Sequence, residues 1–192
     1  MLEISEANES AIQDLLIAFE DESNAQARYL AFAEKADQEQ LHGAASLCRA
    51  AARAEHFHAA SHARAIKALG VEAWCNLHEP EVKSTLENMR DALAGEQHEI
   101  AAMYPGVLEE AKKRGNSAVV RSFAGALEAE KTHARLYAEA VVLLEAGEKD
   151  SWIGTAREFF VCPACGYTVK TLEQDDFCPV CRCPQEQFEA VL

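Results

Sequence analysis

Glu130-Lys131-Thr132-His133-Ala134-Arg135-Leu136-Tyr137 is the stretch that decides how this chain is built. An apolar stripe at helical spacing runs through it, with Val119, Phe123 and Leu127 before it and Ala134, Tyr137, Val141 and Leu144 within and after it. Glu130 falls on that stripe, and His133 lies one turn further on. A bare carboxylate facing the core of a helical bundle costs several kcal/mol of desolvation. Something cationic must offset it. A Glu and a His at i, i+3 share one helix face and can ligate the same metal centre.

Working back from there, three earlier helices carry the same interruption. A first helix is expected over about residues 5–36, where Ile12, Leu15, Leu16, Phe19, Tyr29 and Leu30 keep a helical rhythm and Glu22 breaks it. After Gly43 a second runs over about 44–69, with Leu47, Ala51, Ala54, Ile66 and Leu69 inward and Glu55 and His58 on the same face. Gly70 is its expected C-terminal cap. A connection containing Pro80 follows. A third helix starts at a capping box, Ser84-Thr85-Leu86-Glu87, and is lined by Leu86, Met89, Leu93, Ile100 and Met103. Glu96 and Glu99 interrupt it, and Pro105 is expected to kink it. The turn at Gly115-Asn116 leads into the fourth helix, over about 117–146.

A faint internal repeat connects the halves. Glu22 to Glu96 is 96 − 22 = 74 residues, and Glu55 to Glu130 is 130 − 55 = 75. Tyr29 follows Glu22 by seven residues, and Tyr104 follows Glu96 by eight. Together, a Glu on two helices and Glu-x-x-His on the other two form the carboxylate pattern of di-iron and di-manganese helical bundles. The ligand candidates are Glu22, Glu55, His58, Glu96, Glu99, Glu130 and His133. Oxygen and imidazole donors suit iron. A further Glu-x-x-His, Glu39 to His42, borders the break at Gly43 and is set aside, as are His56, His62 and His98. His62 lies one turn beyond His58, close enough to support a ligand without being one.

The totals agree with a metal protein. The chain has 192 residues, enough for a medium domain plus a small one, and 49% of them are apolar. Its net charge of −14 argues against nucleic acid as a partner. No apolar run reaches the ~18 residues that would cross a membrane. Met1 to Glu6 carries no basic-then-apolar export signal, so a cytoplasmic location is expected. Four of the seven cysteines form two pairs, Cys162-Pro163-Ala164-Cys165 and Cys178-Pro179-Val180-Cys181. In such a chain two Cys-x-x-Cys knuckles favour a tetrahedral thiolate site over disulfides, without deciding iron against zinc. Cys48 and Cys75 are expected to be plain small residues.

The fold expected is an all-α, ferritin-like four-helix bundle over 1–147, a linker over 148–158 and a small knuckle module with β structure over 159–192. Across nearly its whole length the chain resembles the rubrerythrin family. The matching motifs are Phe19 to Ser23 with Tyr29, Glu55 to His58, Gly95 to Glu99 with Met103 to Pro105, and Glu130 to His133. The two knuckles resemble that family's rubredoxin-like module.

The resemblance implies a non-heme di-iron peroxidase that reduces hydrogen peroxide to water. Glu55 and Glu130 would bridge the irons, Glu22 and Glu96 would be terminal ligands, and His133 would hold one iron. Glu99 and His58 would exchange on the other, with Tyr29 and Tyr104 as supporting groups. Cys162, Cys165, Cys178 and Cys181 would hold one further iron, fed by a redox protein or reductase. That iron would pass electrons to the di-iron site of the other subunit in a homodimer. One departure stands out: Arg182 and Cys183 follow the second knuckle where the family usually has Gly. The rival readings are a ferroxidase or iron-binding protein on the same bundle, and a zinc-ribbon interaction protein with a purely structural bundle.

Overall fold

The computed structural model describes residues 6–172 and 175–192. Met1 to Ser5, on which the expectations of no export signal and of the start of the first helix fall, lie outside the described residues. Helix α1 spans Glu6–Gln38, α2 His42–Ala68, α3 Thr85–His98, α4 Tyr104–Arg114 and α5 Ser117–Glu145. A π-helical segment, Glu99–Met103, joins α3 to α4, so these three pieces make one rod and the bundle has four. The capping box at the start of α3 is formed as expected, with Ser84 and Glu87 each accepting from the other's backbone N–H. Asn116 caps α5 through its side chain, which accepts from Val119 N.

The core is built largely from alanine. Ala44, Ala45, Ala50, Ala51 and Ala54 of α2 are fully buried, so the helices pack closely around a few large side chains, Tyr29, Phe32, Leu47, Met89, Leu136 and Tyr137. Leu30, expected on the inner face of α1, is instead 47% exposed, and Phe32 and Ala33 take that face. The reason is phase. Tyr29 and Leu30 are 100° apart on a helix, and the larger ring occupies the core.

The C-terminal part is a three-stranded antiparallel sheet in the order β2-β1-β3, with β1 at Phe159–Val161, β2 at Thr168–Val169 and β3 at Glu189–Val191. The stretch expected to be a linker is packed down. Ile153 is fully buried in the same apolar cluster as Leu47, Met89 and Leu136, and so are Phe159 and Val161. Ala44 N donates to Ile153 O at 3.0 Å. Gly43 permits this approach, because a Cβ there would overlap the Trp152 carbonyl. No helix among the described residues is long and apolar enough to cross a membrane.

Candidate metal centres

All seven candidate ligands of the bundle converge. Glu22 comes from α1, Glu55 and His58 from α2, Glu96 from α3, Glu99 from the π segment, and Glu130 and His133 from α5; none is more than 8% exposed. His58 Nδ1 lies 2.8 Å from Glu55 Oε2, 2.8 Å from Glu130 Oε1 and 3.6 Å from Glu22 Oε1. His133 Nδ1 lies 2.7 Å from Glu130 Oε2, 3.5 Å from Glu96 Oε2 and 3.6 Å from Glu55 Oε1. Two donor sets result, Glu22-Glu55-His58-Glu130 and Glu55-Glu96-Glu130-His133. Within each set one ligand atom per residue lies within 4.8 Å of all the others. Glu55 and Glu130 belong to both sets. That sharing is the layout of two adjacent cations bridged by two carboxylates.

Burial pushes every one of these carboxyls upward. For Glu22 and Glu130 the adjacent imidazoles outweigh it, holding Glu22 far below the ordinary range and Glu130 at about 2. For Glu96, burial and then the Glu130 charge raise it to about 8. Burial and neighbouring carboxylates carry Glu55 and Glu99 well above their usual value. His58 and His133 are disfavoured as cations by burial, yet the carboxylates around them raise both. Without cations, then, the cluster must hold protons to be tolerated. Glu22 Oε2, Glu96 Oε2 and Glu99 Oε2 are buried with no hydrogen-bond donor. Each such atom costs about 1–3 kcal/mol unless something electropositive meets it. A pair of metal ions fits all of these features.

Two tyrosines brace Glu22 and Glu96 crosswise. Tyr29, from the first half, donates to Glu96 Oε1 at 2.6 Å, and Tyr104, from the second, donates to Glu22 Oε1. Glu99 stands beside the cluster but in neither donor set. The Glu39–His42 pair is elsewhere, as anticipated: Glu39 accepts from Thr85 N, and His42 Nδ1 meets Asp37. His62 is fully buried behind Tyr104, a supporting position. Tyr137, taken from the sequence as a core residue only, packs its ring 5.4 Å from that of Tyr29. Nothing in its periodicity distinguished it from an ordinary apolar contact.

The four knuckle sulfurs also form a donor set within 4.8 Å. Cys162 Sγ and Cys181 Sγ are 3.5 Å apart, and Cys165 Sγ and Cys178 Sγ are 3.7 Å apart. A tetrahedral ion with ~2.3 Å metal–sulfur bonds needs edges of about 3.8 Å. The two knuckles use one hydrogen-bond plan. Gly166 N donates to Cys162 O and Cys162 N to Tyr167 O; Arg182 N donates to Cys178 O and Cys178 N to Cys183 O. Arg182 therefore takes the left-handed conformation that Gly166 takes, at φ 64° against 77°. The missing glycine is absorbed as local backbone strain of about 1 kcal/mol, not as different bonding. Cys183 Sγ turns away toward Pro184 O and Gln187 Oε1, outside the donor set.

The knuckles rest on the bundle of their own chain. His58 Nε2 lies 3.0 Å from Cys165 O, and His133 Nε2 lies 3.2 Å from Gly166 O and 3.1 Å from Thr168 Oγ1. A carbonyl can only accept, so each Nε2 carries a proton, and Nδ1, which faces the carboxylate cluster, is the atom left to give up its proton to an incoming cation. Both imidazoles are thus set in the tautomer that ligates through Nδ1. A Cβ on Gly166 would overlap His58 Nε2, so glycine is required there by contact as well as by backbone. The four-cysteine cluster thus abuts the carboxylate cluster of its own chain.

Residues 14–141 match the Rubrerythrin family. The chain belongs to the rubrerythrin family. It is 34% identical to Rubrerythrin-2 of Clostridium acetobutylicum over 90% of this chain and 92% of that protein. It is 32% identical to nigerythrin of Nitratidesulfovibrio vulgaris over 94% and 86%. Among solved structures it is similar to nigerythrin in its fully reduced, all-ferrous state, with TM-score 0.82 and 31% identity over 94% of this chain and 86% of that one. A bacterioferritin from Desulfovibrio desulfuricans shares the fold, with TM-score 0.70 and 22% identity over 78% and 90%. The fold is therefore the ferritin-like bundle with a rubredoxin-like knuckle module. The buried carboxylate–histidine cluster and the four-cysteine cluster of this rubrerythrin match a di-iron centre and a mononuclear iron site. Membership carries the broad assignment, an iron protein of oxidative-stress defence.

Proposed function

We propose that this rubrerythrin is a peroxidase that reduces hydrogen peroxide to water at the bundle cluster, with electrons delivered through the four-cysteine site. The observation that carries the reading is the contact of Cys165 O with His58 Nε2 at 3.0 Å. An iron store has no need of an electron carrier abutting a ligand of its metal site. Glu55 and Glu130 are the bridging residues, Glu22 and Glu96 the terminal ones, and His133 and His58 the imidazole ligands. Two irons held there would supply the electron pair that splits the O–O bond. Tyr29 and Tyr104 hold the terminal carboxylates in place through their hydroxyls, and the surrounding alanine-rich core keeps bulk water out. Glu99, with an unpartnered oxygen, is the spare anionic ligand that exchanges with His58. Cys162, Cys165, Cys178 and Cys181 hold the relay ion, for which iron is preferred over zinc.

The substrate is hydrogen peroxide, the electron donor a redox protein or reductase, the assembly a homodimer or larger homo-oligomer, and the location cytoplasmic. The test is anaerobic iron loading followed by peroxide under continuous reduction. Full-length protein should take about two irons in the bundle and one in the knuckles and consume peroxide catalytically. Iron oxidation by oxygen with mineral deposition, and no peroxide turnover, would favour the ferroxidase reading instead. A colourless, zinc-filled knuckle site in iron-replete protein would remove the relay.

A further inference from the structure

The two donor sets are near copies, but what stands behind them differs. One turn after His58 comes His62; one turn after His133 comes Tyr137. His62 is fully buried, with Nδ1 2.8 Å from Ser122 Oγ and Nε2 3.4 Å from Tyr104 OH and 3.8 Å from Glu22 Oε1. Ser122 Oγ lies 3.1 Å from Ser61 Oγ. Both serines line a cleft of 650 Å³ between α2, α5 and the knuckles.

The direction of these bonds follows from the inner end. Tyr104 has one hydroxyl proton, and Glu22 accepts it. Nε2 of His62 must therefore turn a proton, not a lone pair, toward Tyr104 and Glu22. In the neutral ring Nδ1 then accepts from Ser122, which can accept in turn from Ser61. With the Ser61–Ser122 hydroxyl pair turned so that Ser61 donates, every link points inward from the cleft; turned the other way, Ser122 donates to Ser61. On the other side the Tyr137 hydroxyl, buried, has no oxygen or nitrogen partner. Its polar neighbour is the buried Cys48 thiol, pushed up to about 12 by burial.

We propose that Ser61, Ser122 and His62 form a proton conduit from the cleft to the Tyr104–Glu22 pair, serving the Glu22 side of the site; beside Tyr29 on the Glu96 side stands Arg28, a permanent cation that cannot take up one proton as it releases another. The purpose rests on the peroxidase reading. Reducing one hydrogen peroxide to two waters takes two electrons, from the knuckle iron and its donor, and two protons. An imidazole suits the transfer because it takes a proton at Nδ1 as it releases one from Nε2. His62 and Ser122 are positioning and relay residues; neither belongs to a donor set.

The conduit can be tested without metal or peroxide, in full-length metal-free protein carrying ¹³C-labelled tyrosine. The solvent deuterium isotope shift at the ring carbon bearing the hydroxyl reads how fast that hydroxyl exchanges. Tyr29 and Tyr104 are equally buried, at 1% and 0% exposed. The Tyr104 hydroxyl should nevertheless exchange faster by about tenfold or more, because it needs no opening of the fold. His62→Leu and Ser122→Ala should bring it down to the rate of Tyr29. Equal exchange at the two tyrosines of the unaltered protein would overturn the conduit, whatever the variants do. In iron-loaded protein the same two variants should lower peroxide turnover by about 10²-fold and enlarge its solvent isotope effect. Turnover unchanged despite slowed exchange would overturn the delivery role. Absent turnover in the unaltered protein would sink the peroxidase reading alone, leaving the exchange comparison to judge the conduit.

Discussion

Glu99 is buried among the candidate ligands, belongs to neither donor set, and leaves one oxygen unpartnered. Glu99→Ala should therefore still load two irons, by metal analysis, while losing most peroxide turnover. Full activity in that variant would refute the exchange with His58. Glu55→Ala or Glu130→Ala should impair loading itself, since each residue serves both sets. The pH dependence of the metal-free protein follows from the same side chains. Burial and Glu130 raise Glu96 to about 8, so the folded state holds a proton there that the unfolded chain releases near its ordinary pKa of about 4.5. That contribution to stability is fully present below pH ~4.5 and is lost as pH rises toward 8. His58 and His133, also raised, act in the same direction above their ordinary value of about 6.5. Thermal melts should show metal-free protein losing stability between about pH 5 and 8, and the gain on adding metal widening over that range. A metal-free melting point that rose with pH would contradict this. These residues were legible in the sequence because a helix fixes what i, i+3 can touch. The inward-pointing bonds of His62 were not, since Ser122 is 60 residues away and on another helix.

At the scale of elements, the capping box was legible in full, and it allows a clean check. Ser84→Ala removes one side-chain acceptor at an exposed helix start and should cost about 1 kcal/mol. For a chain this long the melting point should fall by about 2–4 °C, with iron content unchanged. The third rod was read less well. The expectation was a kink at Pro105; the structure has a π-helical segment over Glu99–Met103 just before it. The repeat itself contains the reason. Tyr29 is seven residues after Glu22, but Tyr104 is eight after Glu96, and the wider π turn takes up the extra residue. Tyr104 thereby reaches Glu22 as Tyr29 reaches Glu96. The proline, lacking an N–H, sits where the following helix begins and needs no donor there. The stretch 148–158, expected as a linker, is packed against the bundle. Its packing depends on Ile153 and on the space left at Gly43, more than a hundred residues earlier, which no local pattern reveals.

At the scale of the whole molecule, bundle and knuckles share one apolar cluster, which ties Phe159 and Val161 to Leu47 and Met89. The sequence showed two metal-binding patterns and their order, yet not that one chain sets the four-cysteine site against its own His58. That contact depends on the Gly166 backbone meeting a particular imidazole. The crosswise tyrosines have a consequence for how the chain could be divided. The connection between α2 and α3 carries exposed Leu77, His78 and Glu79. A cut there leaves one fragment with Glu22, Glu55 and His58 and another with Glu96, Glu130 and His133. Each fragment holds three of the four candidate ligands of one set and one of the other, and each lacks the tyrosine that braces its own glutamate, Tyr104 for Glu22 and Tyr29 for Glu96. Neither piece can complete a metal site by itself, and together they lack nothing but a peptide bond. The molecule is in this sense a lock whose two halves each carry the other's key, so that reassembly of the severed pieces and capture of the metal pair become one event.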